Sequence, residues 1–330
     1  MNNPKDPYGI QPEPARGDRL PDYSDRARAE RVKLVVPFFK TNYIEHQPQT
    51  DRIEELLDYI DSMQPLLGRA IDGRRLSEYY SAGKSRMVER MIEVAAERRA
   101  ANGLPPNPYQ ILWLELDKTT SVATFYRQAL RLMGDDHWDG KAKLDELEDR
   151  MEHFARRLGV EGMVGDEVQH LGRKTTDAKQ VTDRFKTFLN RGVLPLILVG
   201  DETSEAFFDE NEKFAARLGT PLTLKPLDVR HSGRDKRLFL EFCGKLDASL
   251  VAGGITDELS GLDKRGLRTP LAIVSGGHVG RVCRLVCEAA QHAIRRGAGV
   301  IEAHDLSVAT RNYAFRVKFI RYDPFSKPHA

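Results

Sequence analysis

A glycine, a lysine and a hydroxyl residue at the mouth of a helix constrain this chain more than any other feature. Ser81-Ala82-Gly83-Lys84-Ser85 runs directly into Arg86-Met87-Val88-Glu89-Arg90-Met91, a helix-like stretch. The first N–H groups of a helix have no intrahelical partner, and the helix dipole adds partial positive charge there, so such a start suits an anion. This is the second half of a P-loop: Lys84 is expected to reach the β- and γ-phosphates of a nucleoside triphosphate, and the Ser85 hydroxyl to bind Mg²⁺. The complete pattern, G-x-x-x-x-G-K-[ST], asks for another glycine ahead of Gly83, and Glu78 stands in its place.

A second motif strengthens the first. Val160-Glu161-Gly162-Met163-Val164-Gly165 ends in Asp166-Glu167, the form of a Walker B strand. Asp166 is expected to hold the Mg²⁺ site and Glu167 to polarise an attacking water. An Asp-Glu pair after an apolar run is also an ordinary solvated strand end. The two motifs in this order, with a further strand between them, point to nucleotide binding.

Between and around these motifs strands alternate with helices. The stretch 51–60 carries Ile53, Leu56, Leu57 and Ile60 at helical spacing, with Asp51 as the expected N-cap. The strand that should feed the P-loop, Gly73-Arg74-Arg75-Leu76-Ser77, is hardly apolar. The P-loop helix is expected to stop at Asn102-Gly103, ahead of Pro105 and Pro106. Ile111-Leu112-Trp113-Leu114-Glu115-Leu116 and Leu194-Pro195-Leu196-Ile197-Leu198-Val199 read as buried strands, the latter ending at Gly200-Asp201. Helices are expected over 121–133, 144–158 and 181–190, with a charged loop over 171–177. The pattern predicts an α/β fold, a parallel sheet flanked by helices.

After Pro226 the strands give way to helices, including one around 239–250, a long one from 279 to 296 and a short one from 304. A last strand is expected at 315–320. The expected organisation is an N-terminal arm and short helix over 1–50, a nucleotide-binding domain over 51–230, and a small helical domain over 231–330 with a basic, aromatic tail. The arm's first 22 residues, with their five prolines among charges, read as mobile.

Bulk composition excludes other classes. With 40% hydrophobic and 30% charged residues the chain reads as soluble and globular. Its net charge of +2 provides no global field for nucleic acid, so any such contact needs a local patch. Cys243, Cys283 and Cys287 form no metal-type pair and read as buried thiols of a reducing compartment. No apolar leader and no run of about eighteen apolar residues is present. The expectation is a cytoplasmic protein that makes no membrane contact.

Taken together, these residues resemble the TniB/TnsC-type AAA+ ATPases, regulators of DNA transposition. The resemblance is carried by 81–85, 162–170, 196–200, 214–218 and 275–290, with 297–306 and Tyr322-Asp323-Pro324-Phe325 similar to that family's ending. It spans about residues 43–325. It implies a P-loop NTPase with a helical lid, using ATP and Mg²⁺, that self-associates into a ring or filament on double-stranded DNA. It also implies a transposase as partner, and a target-selection protein beside it. ATP binding would favour the assembled state and hydrolysis would dismantle it.

On this resemblance Asp201 stands where AAA+ ATPases place Asn or Thr to sense the γ-phosphate; it either orients a water or caps its loop. Arg217, late in a helix, either enters the neighbouring subunit's site or forms a surface ion pair. Arg281, in Ser275-Gly276-Gly277-His278-Val279-Gly280-Arg281, is placed to report nucleotide state, whereas His46 and His278 read as surface or capping residues. Lys118, Lys141 and Lys143 either face the central DNA or belong to solvated loops. Glu78 and Asp201 depart from the family pattern, and they keep open a second reading: an adaptor of the same fold that binds protein partners without ATP turnover. A P-loop enzyme of another kind, such as a small-molecule kinase, fits Asp166-Glu167 and the helical second domain less well.

Overall fold

The structure, a computed structural model, describes residues 24–78, 83–117, 121–170 and 175–326, with the main chain only at 25, 78 and 175–180. Two compact units result. One comprises 43–242 with 275–282; the other, among the described residues, comprises 24–42, 243–274 and 283–326.

The first unit is built on five parallel strands: β1 (Arg74–Glu78), β2 (Ile111–Glu115), β3 (Gly162–Asp166), β4 (Leu196–Asp201) and β5 (Leu222–Leu224), in the order β2-β3-β4-β1-β5. Parallel neighbours need crossovers, and helices supply them. They are α3 (Lys84–Ala101) after β1, α4 (Val122–Leu132) and α5 (Leu144–Leu158) after β2, α6 (Thr175–Arg191) after β3, and α7 (Ser204–Asp209) and α8 (Glu212–Arg217) after β4. Helix α2 (Gln47–Met63) precedes β1.

Alternation along the strands divides the core in two. Met163, Leu196 and Leu198 pack with Phe125, Tyr126, Phe185, Phe188 and Phe214 on one face; Val164, Ile197 and Val199 pack with Ile53, Leu56, Ile60, Met87 and Met91 on the other. The parallel α/β sheet expected from the sequence is therefore present, covered on both faces.

The polar strand β1 lies inside this sheet, between β4 and β5. Leu76 is fully buried, while the arginines beside it use their apolar stems and flat guanidinium groups against aromatic rings. Arg74 lies 4.9 Å from the centroid of the Tyr59 ring and Arg75 4.6 Å from that of Phe208. Glu205 accepts from the Ser77 hydroxyl and lies 3.4 Å from Arg75 Nη1.

Some boundaries differ from those expected. Helix α2 begins at Gln47, after His46 and with Pro48 in its first turn, not at Asp51. Helix α6 begins at Thr175, inside the stretch expected to be loop. The short β5 has no counterpart in the sequence reading.

The second unit is helical among the described residues. It contains α1 (Asp25–Thr41), most of α10 (Arg265–Ser275), α12 (Ala303–Ala309), and parts of α9 (Gly233–Ala252) and α11 (Val279–Arg295). Ser24 caps α1, accepting from the Ala27 N–H at 3.2 Å. Arg31 ties the helix down through Asp257 (2.6 Å) and the Gly254 carbonyl (3.0 Å). The strand expected at 315–320 is absent: a π-helical turn, Thr310–Ala314, leads into further turns. There the N–H of Phe315 donates to Thr310 O (3.0 Å) and that of Phe319 to Ala314 O (2.9 Å). Among the described residues no helix is long and apolar enough to cross a membrane.

Asp305, fully buried, fixes this unit's C-terminal helices. It accepts from Arg296 Nε and Nη2 at 2.8 Å and from the Glu302 N–H at 2.9 Å, and its Oδ1 lies 2.6 Å from His292 Nδ1. Burial alone would raise the carboxyl's pKa, but the Arg296, Glu302 and His292 bonds outweigh it and hold the group below the ordinary aspartate value. The stability it contributes is complete above that ordinary value and is lost as pH falls through the lowered folded value. Asp305→Asn is expected to cost about 2–3 kcal/mol at pH 7, measured by urea denaturation, with the gap to the parent protein closing under strongly acidic conditions. A variant as stable as the parent at pH 7 would show that the cluster contributes nothing.

Candidate nucleotide site

Strand register brings the motifs to one edge. Glu78 at the end of β1 is level with Asp201 at the end of β4, and β4 lies beside β3, which ends at Asp166. The carboxyl ends of parallel strands are where open α/β sheets bind ligands. Helix α3 starts here. Gly83 precedes it with φ 86°, in the left-handed region that favours glycine, and a Cβ at this position would stand 3.1 Å from Gln49 Nε2.

The first turn of α3 carries no acidic residue; it holds Lys84 and Arg86, with Arg86 paired to Glu89. Cations at the positive end of a helix dipole are unfavourable unless something negative faces them. Lys84, largely buried, has Nζ 3.9 Å from Glu167 Oε1. The sequence therefore concentrates positive charge at one helix start and sets a carboxylate pair opposite.

Asp166 is buried, at 3% exposure. Burial above all raises its pKa; the Glu167 charge adds to this, while the Glu167 N–H and Lys84 oppose it. Its Oδ1 accepts from the Glu167 N–H at 2.8 Å. Glu167 has φ 63°, a conformation that costs a residue with a side chain on the order of 1–2 kcal/mol. Two contacts hold it there: that bond to Asp166, and the His170 N–H donating to Glu167 O at 2.9 Å across the turn Val168–His170. Around the carboxylate stand Gln169, whose Nε2 donates to Oε2, and His170, whose Nε2 lies 4.0 Å from Oε2. Ser85 is exposed at the start of α3. A hydroxyl and a buried carboxylate are hard oxygen donors of the kind Mg²⁺ takes beside phosphate, so this donor set fits that ion.

Asp201 ends β4 with Oδ1 accepting from the Thr203 N–H (2.8 Å) and hydroxyl (2.5 Å), the geometry of a loop-capping Asp. Arg217, the last residue of α8, donates to Asp72 Oδ1 at 2.7 Å and Asn190 Oδ1 at 2.5 Å. Lys141 and Lys143 are exposed, and the Lys143 N–H donates to Glu146 Oε2 at 3.1 Å at the head of α5. Ser81, Ala82 and Lys118 lie outside the described residues, as does the Glu78 side chain.

Several residues beside Gly83 escaped the sequence reading. His46, Gln49, Leu224, Lys225, Pro226, Gly277 and His278 line one narrow pocket of the first unit. His46 and His278, expected at the surface, are both buried. The His46 ring meets Phe242 edge-on at 5.6 Å. Gly277 has φ 80°, its carbonyl accepts from the Leu227 N–H at 3.1 Å, and a Cβ there would fall 2.1 Å from Leu227 O. The Gly276-Gly277 pair was the available sequence clue, since backbones that approach this closely require glycine. Arg281 belongs to the same unit, in the first turn of α11, with Nη1 3.7 Å from a Cβ built on Gly276.

The family described as "Bacterial TniB protein" matches residues 40–226, more than half of the chain. No curated protein matches the chain's sequence. Among solved structures, the ORC2 protein of Aeropyrum pernix, in ADPNP-ADP complexes, is similar with a TM-score of 0.60 at 13% identity, covering 83% of this chain and 70% of that one. The ORC1 protein of Aeropyrum pernix, in complex with DNA, is similar with a TM-score of 0.56 at 13% identity, covering 83% and 68%. Cdc6p of Pyrobaculum aerophilum gives 0.55 at 12%, covering 84% and 70%. The fold shared with these ORC and Cdc6p structures is a parallel sheet flanked by helices, with a small helical second unit.

The pocket beside Gly83 carries a pH signature. Burial foremost, with Arg281 next and Glu202 opposing, lowers the His278 pKa from its ordinary 6.5 to about 4. The folded protein thus keeps a neutral imidazole that the unfolded chain protonates more readily. This contribution to stability is complete above about pH 6.5 and declines as pH falls toward 4. Between pH 7 and pH 5 the melting temperature of the parent protein is expected to fall further than that of His278→Gln, by differential scanning fluorimetry. Equal falls would contradict a buried neutral His278.

Proposed function

The chain belongs to the TniB family, and from that premise we propose that it is an ATP-dependent, DNA-associated regulator of transposition. The observation that carries the reading is the set at the start of α3: largely buried Lys84, 3.9 Å from Glu167, beside buried Asp166. In this proposal Gly83, Lys84 and the first N–H groups of α3 take the β- and γ-phosphates of ATP, together with Ser81 and Ala82. Ser85 and Asp166 hold Mg²⁺, which supplies charge neutralisation on the phosphates. Glu167 polarises the attacking water, releasing ADP and phosphate.

Arg217 completes the charge set from a neighbouring subunit. Within the single chain its guanidinium is engaged by Asp72 and Asn190, bonds that it exchanges for the neighbour's phosphates on assembly. A site finished by a neighbour is whole only in the assembly, so ATP binding and self-association reinforce each other. Arg281, in the same unit as Lys84, senses the nucleotide beside the His46–Gly277 pocket. Asp201 acts through its position at the end of β4, with its carboxylate committed to Thr203. Double-stranded DNA is bound chiefly through its phosphates, with Lys118, Lys141 and Lys143 as the contacting lysines, and a transposase, alone or with a target-selection protein, reads the assembled state. The Aeropyrum pernix relatives of the same fold were solved with ADPNP and ADP and with DNA, which supports the assignment.

A second reading is favoured by Glu78, which replaces the P-loop's first glycine. On that reading the protein is an adaptor that binds partners without turning ATP over. The strain of a non-glycine residue at such a position, on the order of 1–2 kcal/mol, is small against the binding free energy of a triphosphate.

Binding to a labelled random-sequence duplex, followed by fluorescence anisotropy across a salt series, separates the two readings. ATP or a non-hydrolysable analogue is expected to tighten DNA binding, affinity to fall with salt, and Lys84→Ala to abolish the nucleotide effect. Equal affinity with and without nucleotide in both proteins would overturn the ATP coupling and favour the adaptor.

A further inference from the structure

We propose that Gln169 is a positioning residue of this site: its side-chain amide fixes the Glu167 carboxylate and ties it to the end of β4. The proposal rests on the reading of Glu167 as the group that polarises water. Gln169 lies in the turn Val168–His170, two residues beyond Glu167. Its Nε2 donates to Glu167 Oε2, and its Oε1 accepts from the Asp201 N–H at 3.3 Å. One amide thus uses a donor on one motif and an acceptor on the next strand. A side-chain amide offers both functions in one planar group whatever the pH.

The rest of the geometry leaves this bridge a defined task. Lys84 approaches Oε1 of Glu167, so the two carboxylate oxygens are addressed by different groups, the phosphate-side lysine on one and Gln169 on the other. The Glu167 backbone is already held at φ 63° by its N–H bond to the Asp166 carboxylate and by the His170 N–H on its carbonyl. Its side-chain torsions are set instead by what the carboxylate touches, and Gln169 donates a direct hydrogen bond to it. The Asp201 carboxylate is engaged by Thr203, so the end of β4 reaches Glu167 through the Asp201 N–H and Gln169. Gly200 secures the approach: a Cβ there would come 2.6 Å from Val168 Cγ1, so only glycine lets the turn and β4 sit this close. A displacement at the end of β4 is therefore carried to the carboxylate.

Steady-state ATP hydrolysis by the full-length chain tests this, using Gln169→Met, Gln169→Glu, Glu167→Gln and the double variant Glu167→Gln/Gln169→Met. Methionine keeps the length and removes both hydrogen bonds; glutamate keeps the shape and acceptor but loses the donor. Both single variants at 169 are expected to lower kcat on the order of 10- to 100-fold, with KM for ATP within about twofold of the parent value. Because Gln169 acts through Glu167, the double variant is expected to turn over no more slowly than Glu167→Gln alone. Unchanged kcat in Gln169→Met and Gln169→Glu, alongside a slow Glu167→Gln, would overturn the role of Gln169 and leave that of Glu167 standing. A further loss in the double variant equal to that of Gln169→Met alone would also overturn it, since a purely structural residue acts additively. Full turnover by Glu167→Gln would remove the catalytic reading of Glu167 and this proposal with it.

Discussion

Positive charge gathered at the start of α3, with carboxylates set opposite, is the constraint on which the rest of the site depends. Lys84 is mostly withdrawn from water and sits where the helix dipole already repels a cation. Its attraction to Glu167 at 3.9 Å is worth roughly 4 kcal/mol in gross terms at an effective dielectric near 20, and desolvation of both groups takes back much of that. On the proposed function a triphosphate with its metal would satisfy every party at once: the helix start and Lys84 would gain an anion, and the buried Asp166 a cation. The same charge pattern explains why the Asp166 pKa is raised by burial while Lys84 pulls it down.

That arrangement needs β1 in the interior of the sheet, and β1 was the element the sequence disguised. Periodicity methods seek apolar residues, whereas Arg74, Arg75 and Ser77 bury themselves by stacking on Tyr59 and Phe208 and by bonding to Glu205. Those partners are distant in the chain, so no local window contains them. β2 and β4 were legible because their residues are apolar on both faces, as a strand covered by helices on both sides requires. The start of α3 was legible because glycine, lysine and serine each have a local reason to be there.

Other features misled for equally physical reasons. The aromatic and basic alternation of Phe315–Ile320 imitates a strand, but the main chain there spends N–H groups of Phe315, Val317, Lys318 and Phe319 on carbonyls three to five residues back, as turns do. The last three residues of the loop expected over 171–177 belong to the first turn of α6, whose polar residues carry no apolar stripe until Val181, and 171–174 lie outside the described residues. His46 and His278 looked like surface residues because what buries them comes from other parts of the chain: Phe242 for one, and the Leu227–Gly277 contact beside the other. The candidate catalytic groups were thus readable one by one. The residues that position them, Gln169 above all, emerge only when the strand ends are placed side by side.

The most direct test of the central claim is the affinity of the purified protein for Mg·ATP, measured by isothermal titration calorimetry beside Lys84→Ala. Binding at one site per chain, weakened on the order of tenfold or more by the substitution, is the result predicted for a lysine that meets phosphate at the start of α3. Equal affinity in the two proteins, or no binding in the parent, would contradict it.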